Sequence, residues 1–432
     1  MIGVMTNMPH GQAAHVEGYN TTARGDASHA EGGGTNADGL YSHAEGQETK
    51  AKGPVSHAEG FKAESTASAA HAEGDSTIAQ GNASHAEGGF TTAGGDYSHS
   101  EGYESTANGF ASHAQGDTTT AKGAYSHAEG SFTITNGDSS HAQGEGTRAD
   151  GKASHAEGKG TSANQLAAHA EGIQTNAGGV GAHAAGFLTT ASGNLSYAGG
   201  KNTSTSELSG AHIIGKFGDA LESYAWHLAN GIDEENPGIA AKINQSGEAV
   251  IDRNWFTGGQ HYAEMFETIN DTGIDYGYFV TFEGTNGKIR KARNNDSYVL
   301  GVTSKNPSIV GNCMELRWSQ KYITDEWGGI QYQLVKVPPV YDRTGYLIEP
   351  EHMEEQPVLN PSWDPKQHYL PRRHRPEWVV VGLLGQVLIR DDGSCFPGGY
   401  CMPNGEGVAT KATKGYRVMN RTGDNQILIV FR

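Results

Sequence analysis

The sequence predicts an all-β protein with a stacked β-solenoid in its first half and a separate, mostly-β domain in its second. Two observations predict the solenoid: a histidine that returns every 14 residues, and two short alternating stretches separated by glycines within each unit. A third observation predicts the second domain, because the composition becomes that of a globular domain from about residue 261.

The histidine series runs from His15 to His183 in steps of 14, and Tyr197 takes the next slot. The unit reads S-H-A-E-G-x-x-T-x-A-x-G-x-x, as in the stretch that begins at Ser84. Alternation with a period of two indicates strands, and glycine permits the tight corners between them. Each unit is therefore predicted to form one flattened coil, and successive coils stack at about 4.8 Å.

The inward face of each coil is mostly Ala, Thr and Gly. Burying an alanine gains much less free energy than burying a leucine, so a single thin roll does not offset the backbone entropy of ordering its residues. If the alanine of each HAEG stretch points inward, the histidine and glutamate beside it point outward. Rows this regular favour contact with identical rows on sister chains, which predicts a closed cyclic homo-oligomer.

The SHAEG repeat, over residues 11–215, resembles the head repeat of trimeric autotransporter adhesins, in the variant found in tail fibres and appendages of phages of Gram-positive bacteria. The resemblance implies a left-handed parallel β-roll that forms a homotrimeric shaft with an axis lined by His and Glu. The residues assigned to this axis ladder are His29, Glu31, His43, Glu45, His57, Glu59, His85, Glu87, His127, Glu129, His155 and Glu157.

Three roles for the histidines compete: a structural polar ladder, metal binding on a threefold axis, and pH sensing, since histidine titrates between pH 5 and 8. The repeat contains no H-x-H spacing, and it offers thirteen equivalent copies where an enzyme needs a single constellation. The structural ladder is therefore favoured, and neither a metal nor a cofactor is expected.

Four segments are predicted along the chain: a lead over 1–10, the β-roll over 11–215, a neck over 216–260 and a C-terminal domain over 261–432. The neck contains strand-like pieces and turn signals such as Asn230-Gly231, and it is expected to cap the open end of the roll.

The stretches "QHYAEMFE", "YVLGVTSKNPSIVGN" and "RPEWVVVGLLGQVLIRDDGSC" resemble the autoproteolytic intramolecular chaperone of phage pre-neck appendage proteins, over 261–432. The resemblance implies a domain that assists trimer formation. The self-cleavage motif of that family, Asp-Tyr-Ala-Glu, falls on His261, Tyr262, Ala263 and Glu264. The bond to be cut would be Gln260–His261, with Glu264 as general acid or base.

His261 departs from the family motif, where aspartate stands. A histidine can serve as a base near neutral pH, but its reach and charge differ from those of an aspartate. Two outcomes stay open: self-cleavage before His261, or a chaperone domain that remains attached. The chain is at most a single-turnover self-cleaving peptidase, and no enzyme that turns over a substrate is evident.

The net charge of −18 argues against a nucleic acid or an anionic membrane as partner, since both require a basic face. No run of about 18 apolar residues occurs and the first residues lack a hydrophobic signal core, so a protein made in the host cytoplasm is expected. Its three cysteines are too few for a disulfide framework or a four-cysteine zinc site.

Together these features predict a structural and receptor-binding phage tail fibre, spike or appendage, or the fibre of a phage-tail-like particle, acting outside the cell on the virion. Its expected partners are its own copies, other tail or baseplate proteins, and a host cell-surface or cell-wall saccharide. The alternatives are a bacterial surface adhesin and a cell-wall glycan depolymerase. Aromatic residues at the coil corners are candidates for stacking on sugars: Tyr19, Phe61, Phe90, Tyr103, Phe110 and Phe187.

Overall fold

The computed structural model describes residues 8–252, 256–314, 321–341, 345, 347–364, 366 and 370–432, so the first seven residues of the expected lead lie outside it. Within the described residues the chain is all-β and contains no α-helix; its one helical element is a 3-10 turn at Arg372–His374. The chain divides into two compact units, Met1–Asn254 with Val340–Glu349, and Trp255–Pro339 with Pro350–Arg432.

The first unit is a parallel β-solenoid of about 15 turns, which confirms the predicted fold class. Each coil contributes a five-residue strand that begins at the repeating histidine. These strands are His15–Tyr19, His29–Gly33, His43–Gln47, His57–Phe61, His71–Asp75, His85–Gly89, His99–Tyr103, His113–Asp117, His127–Ser131, His141–Glu145, His155–Lys159, His169–Ile173 and His183–Phe187.

A second, two-residue strand completes each coil. These strands are Met8–Pro9, Thr22–Ala23, Asn36–Ala37, Lys50–Ala51, Glu64–Ser65, Ile78–Ala79, Thr92–Ala93, Thr106–Ala107, Thr120–Ala121, Ile134–Thr135, Arg148–Ala149, Ser162–Ala163, Asn176–Ala177 and Thr190–Ala191. Every strand pairs in parallel with its equivalent 14 residues away, so that His127 lies beside His113 and His141.

The coil interior consists of small side chains. The alanines of both strands, such as Ala128 and Ala121, are fully buried, and a threonine such as Thr133 is buried beside them. In most coils a serine precedes the histidine and closes the corner, as where the Ser126 hydroxyl donates a hydrogen bond to the carbonyl oxygen of Gly123 at 2.8 Å. The narrow interior therefore follows directly from the SHAEG and TxA patterns.

The parallel ladder continues beyond the expected end of the roll at residue 215. Tyr197–Ser204, His212–Asp219 and Trp226–Asn230 pair in parallel, with one extra residue between Tyr197 and its partner His212. Two antiparallel strands, Ile239–Ile243 and Ala249–Ile251, then add to the last of these. The strands of the expected neck thus belong to the same sheet as the roll, because backbone pairing carries on after the 14-residue spacing is lost.

The second unit is built on a curled ten-stranded sheet around the long strand Trp378–Arg390. That strand pairs with His261–Glu267, Gly301–Thr303 and Gln426–Phe431. The remaining strands of the sheet are Phe279–Phe282, Ile289–Lys291, Ile309–Gly311, Tyr400–Pro403, Ala409–Ala412 and Tyr416–Gly423. The core of this unit is large and apolar, with Phe279, Ile389 and Ile427 fully buried.

The proline-rich excursion that interrupts the sequence of this sheet forms two hairpins. Tyr332–Val337 pairs with His352–Pro357, and Val340–Tyr341 pairs with Leu347–Glu349. Both pairings are antiparallel and lie outside the ten-stranded sheet.

The pair of aspartates after the long strand has a structural role. Asp391 is buried and lies 2.5 Å from the guanidinium of Arg421, and its other carboxylate oxygen accepts a hydrogen bond from the backbone N–H of Cys395. Asp392 accepts hydrogen bonds from the backbone and hydroxyl of Ser394. These contacts tie the end of the strand to the following turn.

Candidate functional site

The histidines of the roll form one continuous stack. From His29 to His183 successive imidazole rings lie 4.5–5.0 Å apart, centroid to centroid, with planes within 9° of parallel. The in-register parallel pairing sets this geometry, because it places equivalent side chains one strand spacing apart. Each ring is about one-third exposed, as for His71 at 33%.

The glutamates lie beside the histidine stack on the same outer face. His71 Nε2 is 3.4 Å from an Oε atom of Glu59 in the preceding coil and 3.7 Å from one of Glu73 in its own coil. All twelve residues assigned to the ladder take part in such pairs, at 3.4–4.0 Å. The structure therefore brings these residues together on one face of a single chain.

Many ring nitrogens in this stack are buried without a hydrogen-bond partner among the described residues. They are the Nε2 atoms of His29, His43, His57, His71, His85, His99, His127, His141, His155 and His169. Buried polar atoms in folded proteins nearly always have a partner. Burial, and then the neighbouring imidazoles, hold the pKa of His57, His85, His127, His141 and His169 below its ordinary value. Within the described chain these ring nitrogens thus lie near glutamate carboxylates without forming hydrogen bonds to them.

Groups such as His57, Glu59 and His71 have one ligand atom each within 4.8 Å of one another. An imidazole nitrogen binds a metal along a lone pair that lies in the ring plane. Since neighbouring rings are parallel, an ion midway between two of them would lie out of both planes. A shared metal is therefore poorly suited to two stacked histidines of one chain.

The stack extends further than the 14-residue count indicates. Tyr197 contacts His183 edge-on at 5.2 Å, His212 stacks on Tyr197 at 4.5 Å, and Trp226 lies 5.6 Å from His212. His212 breaks the count because one residue is inserted before it. The sequence signal for it is the Gly-Ala-His of residues 210–212, which resembles the Ser-His corner of the repeat.

The Gln260–His261 bond lies at the start of a strand in the second unit. The backbone N–H of Gln386 donates a hydrogen bond to the carbonyl oxygen of Gln260 at 3.2 Å, and the N–H of Ser308 donates to that of His261 at 2.8 Å. A glycine opposite permits this approach: at Gly385, with φ +120°, an added Cβ would lie 2.7 Å from the Gln260 oxygen. The bond is therefore held firmly against the central strand.

The side chains of His261 and Glu264 lie on opposite faces of their strand. His261 is buried, and its ring lies over Gly382; neither ring nitrogen has a hydrogen bond within the described chain. Glu264 lies on the outer face, where it accepts a 2.5 Å hydrogen bond from the Tyr262 hydroxyl. Within one chain the structure does not bring the two proposed cleavage residues together.

One side chain on each face of this strand, His261 and Tyr262, has a shifted pKa. Burial lowers the pKa of the His261 imidazole, and the nearby Gln386 backbone opposes that shift only in part. The hydrogen bond to Glu264 raises the pKa of Tyr262. His261 is thus held neutral near pH 7. A cavity of about 620 Å³ adjoins it, and Gln260, Lys305 and Arg390 contribute to its lining.

The six corner aromatics proposed for sugar stacking are all exposed on the roll: Tyr19, Phe61, Phe90, Tyr103, Phe110 and Phe187. Phe90 and Tyr103 meet edge-to-face at 5.7 Å. Two further aromatics, Tyr97 and Tyr125, were not among the predicted residues, and both contact Phe110. In the described part of the chain, no helix is long and apolar enough to cross a membrane.

The chain matches one family model and several known proteins. Residues 222–426 match the model described as Peptidase_G2, IMC autoproteolytic cleavage domain. The pre-neck appendage protein of Bacillus phage B103 is 31% identical over 201 residues, which cover 45% of this chain and 22% of that protein. The preneck appendage protein of Bacillus phage PZA is 36% identical over 143 residues, which cover 32% of this chain and 15% of that protein.

A putative phage-related protein, YobO of Bacillus subtilis strain 168, is 35% identical over 164 residues, or 37% of this chain and 19% of that protein. The chain thus spans about a fifth or less of the curated relatives it matches.

Two solved structures from bacteriophage phi29 are also similar. The C-terminal fragment of gene product 12 is 31% identical with a TM-score of 0.31, and covers 40% of this chain and 99% of the fragment. The pre-mature gene product 12 is 18% identical with a TM-score of 0.47, and covers 96% of this chain and 55% of that one. These relatives are phage appendage and phage-related proteins rather than adhesins, so the adhesin-head resemblance of the repeats stays a prediction. The matches to appendage proteins and to the autoproteolytic domain model support a phage appendage protein with a C-terminal domain of the autoproteolytic type.

Proposed function

We propose that this chain forms the homotrimeric shaft of a phage appendage, is assembled with the help of its C-terminal domain, and binds a saccharide on the host surface. The observation that carries the proposal is the histidine face. A row of stacked imidazoles, each about one-third exposed, beside a row of equally exposed glutamates makes a polar surface that another chain can cover.

Three copies arranged about a common axis would place these rows against one another. A neutral imidazole donates through one ring nitrogen and accepts through the other, while a carboxylate accepts only, so facing rows can satisfy each other. The interior of one roll supports the same conclusion, since its alanine-sized side chains contribute little burial energy per coil.

The mass of the full-length chain in solution tests the trimer. Light scattering after gel filtration is expected to give three times the chain mass of 45.7 kDa. Replacing two neighbouring stack residues, His99→Ala with His113→Ala, is expected to reduce the trimer fraction on dilution. The matched control is Thr106→Ala with Thr120→Ala, on the two-residue strands of the same coils. A monomer for the unmodified chain contradicts the proposal.

The C-terminal domain is proposed as the assembly nucleus. Three parallel rolls built from similar coils can align in many competing registers. Contacts between separate chains are nonlocal, so they form slowly and leave the unfolded chains prone to aggregation. A compact domain with its own large core can bring three chains together in a fixed alignment. The similarity to the autoproteolytic domain model supports this role.

Self-cleavage of the Gln260–His261 bond is the second candidate function. The hydrogen bond from Gln386 to the Gln260 carbonyl favours it, because a donor at this oxygen stabilises the negative charge that develops when the carbonyl is attacked. Water would add to the carbonyl carbon, leaving a Gln260 carboxylate and a His261 amine. Glu264, whose carboxylate accepts a hydrogen bond from the Tyr262 hydroxyl on the outer face of the strand, is the proposed proton-transfer group.

A denaturing gel of the expressed chain tests this candidate. Cleavage gives a fragment of about two-fifths of the chain mass, from residues 261–432, that is lost in Glu264→Gln. His261→Asp restores the family motif and serves as the comparison. One full-length band from the unmodified chain contradicts cleavage and indicates a domain that stays attached.

A further inference from the structure

Three aromatic side chains meet on one edge of the roll in successive coils. Phe110 lies 5.5 Å from Tyr97 and 5.4 Å from Tyr125, ring centroid to centroid, and both contacts are edge-to-face with planes at 74° and 76°. The tyrosines are 62% and 64% exposed and the phenylalanine 44%. The patch is therefore open in the single chain, and an exposed apolar cluster of this kind marks an interaction surface.

The corner position of the tyrosines gives a second observation. Tyr97 and Tyr125 occupy the residue two before the repeating histidine, where φ is 60° and 59°. The same left-handed conformation recurs at this corner along the roll, so it belongs to the fold, and alanine is the commonest residue there. The corner therefore needs no large side chain, and the two tyrosine rings gain little burial from occupying it. Large apolar rings that do not serve packing are a reason to look for function.

The chemistry around the patch indicates the kind of ligand. Asp96 and Asp138 lie beside the tyrosines on the same edge, and both are exposed. One carboxylate oxygen of each accepts a backbone N–H from the preceding coil, of Asn82 and Ala124 respectively. The second oxygen of each has no hydrogen bond among the described residues, so it can accept one from a hydroxyl group.

We propose that Tyr97, Phe110 and Tyr125, with Asp96 and Asp138, bind a neutral glycan of the host surface. Aromatic faces suit the apolar C–H faces of sugar rings, and the carboxylates suit sugar hydroxyls. The two carboxylates and the net charge of −18 disfavour an anionic polymer. The inference rests on the receptor binding proposed above. It assigns that binding to one edge of the four coils that begin at His85, His99, His113 and His127.

The test measures co-sedimentation of the full-length chain with Bacillus subtilis cell walls, before and after chemical removal of their anionic polymers. The variant is Tyr97→Gly with Tyr125→Gly, which removes both rings at positions whose left-handed conformation glycine adopts readily. The matched control is Tyr41→Gly, because Tyr41 occupies the same corner position with φ 56° and 62% exposure but has no ring contact in the described chain.

The proposal expects the unmodified chain and the control to bind both wall preparations. The double variant is expected to bind at least about tenfold more weakly, with unchanged mass in solution and a thermal midpoint that is not lowered. If the unmodified chain binds only the intact walls, the ligand is an anionic polymer and the proposal of a neutral glycan is overturned. If the double variant has a different mass in solution, the patch joins copies of the chain and the proposal is likewise overturned. Equal binding by all three proteins would overturn the patch and leave receptor binding intact. No binding by any of them would refute the proposed receptor function as well.

Discussion

Replacing Gly130 with alanine is predicted to destabilise the roll strongly, because successive coils approach closely at this glycine. Its φ is +109°, and an added Cβ would lie 2.2 Å from the carbonyl oxygen of Gly144 in the next coil, where ordinary contact begins near 3.4 Å. The two coils must therefore separate locally by roughly 1 Å, which is a large part of the tolerance of a hydrogen bond.

The size of the effect follows from two terms. Losing about two inter-coil hydrogen bonds costs about 1 kcal/mol each, and the left-handed conformation costs an alanine about 1–3 kcal/mol. The total is about 3–5 kcal/mol. Gly146→Ala is the matched control, with φ +65° and nothing within 4 Å of the added Cβ, and is predicted to cost only the conformational part, about 1–2 kcal/mol.

Urea unfolding of the full-length chain, followed by the circular dichroism of its β-structure, compares the two variants at one protein concentration. The Gly130→Ala midpoint is expected well below that of Gly146→Ala. Equal midpoints would refute the reasoning, since they would show that the close approach of the coils does not limit stability.

Three further predictions concern protonation and the second unit. Because burial and stacking hold the pKa of five stack histidines below the unfolded value, the folded chain binds fewer protons, and its thermal midpoint should fall as the pH drops below about 6.5; a midpoint that rises between pH 7.5 and 5.5 would contradict this. Asp391→Asn leaves the charge of Arg421 without its buried partner and should lower the unfolding free energy by about 3 kcal/mol in urea titration. Burial raises the pKa of Cys401 to about 12 and also raises the pKa of Cys395. Mass spectrometry after iodoacetamide at pH 8 should therefore find only the half-buried Cys313 modified in the native chain, and all three thiols modified in urea.

The architecture of the roll could be predicted because a single period determines pairing, register and facing. Once His127 and His141 are aligned, the alanine that follows each histidine in its strand must point inward and the histidine outward. Two strands of the second unit, Tyr332–Val337 and Gln426–Phe431, were also predictable from their alternating or apolar patterns. Their partners were not, because antiparallel pairing across a long excursion leaves no periodic trace.

The site was harder to predict. Motif matching places His261 and Glu264 three residues apart, but strand alternation separates their side chains to opposite faces. The contact of Phe110 with Tyr97 and Tyr125 was missed because these residues lie 13 and 15 positions away, one to either side of the 14-residue beat. Packing between corners depends on where the backbone turns, which composition does not reveal.

Each coil pairs with the coil before it and the coil after it in the same parallel register. This regularity has a consequence for how the length of the roll changes during evolution. Tandem duplication or deletion of one 42-nucleotide gene segment inserts or removes a whole coil and leaves every remaining joint as before, in length steps of about 4.8 Å. The one-residue insertion between Tyr197 and His212 lies in the segment that connects the two paired strands, where it leaves their pairing intact. The length of the roll can therefore change in evolution by whole coils while the fold of each remaining coil stays the same.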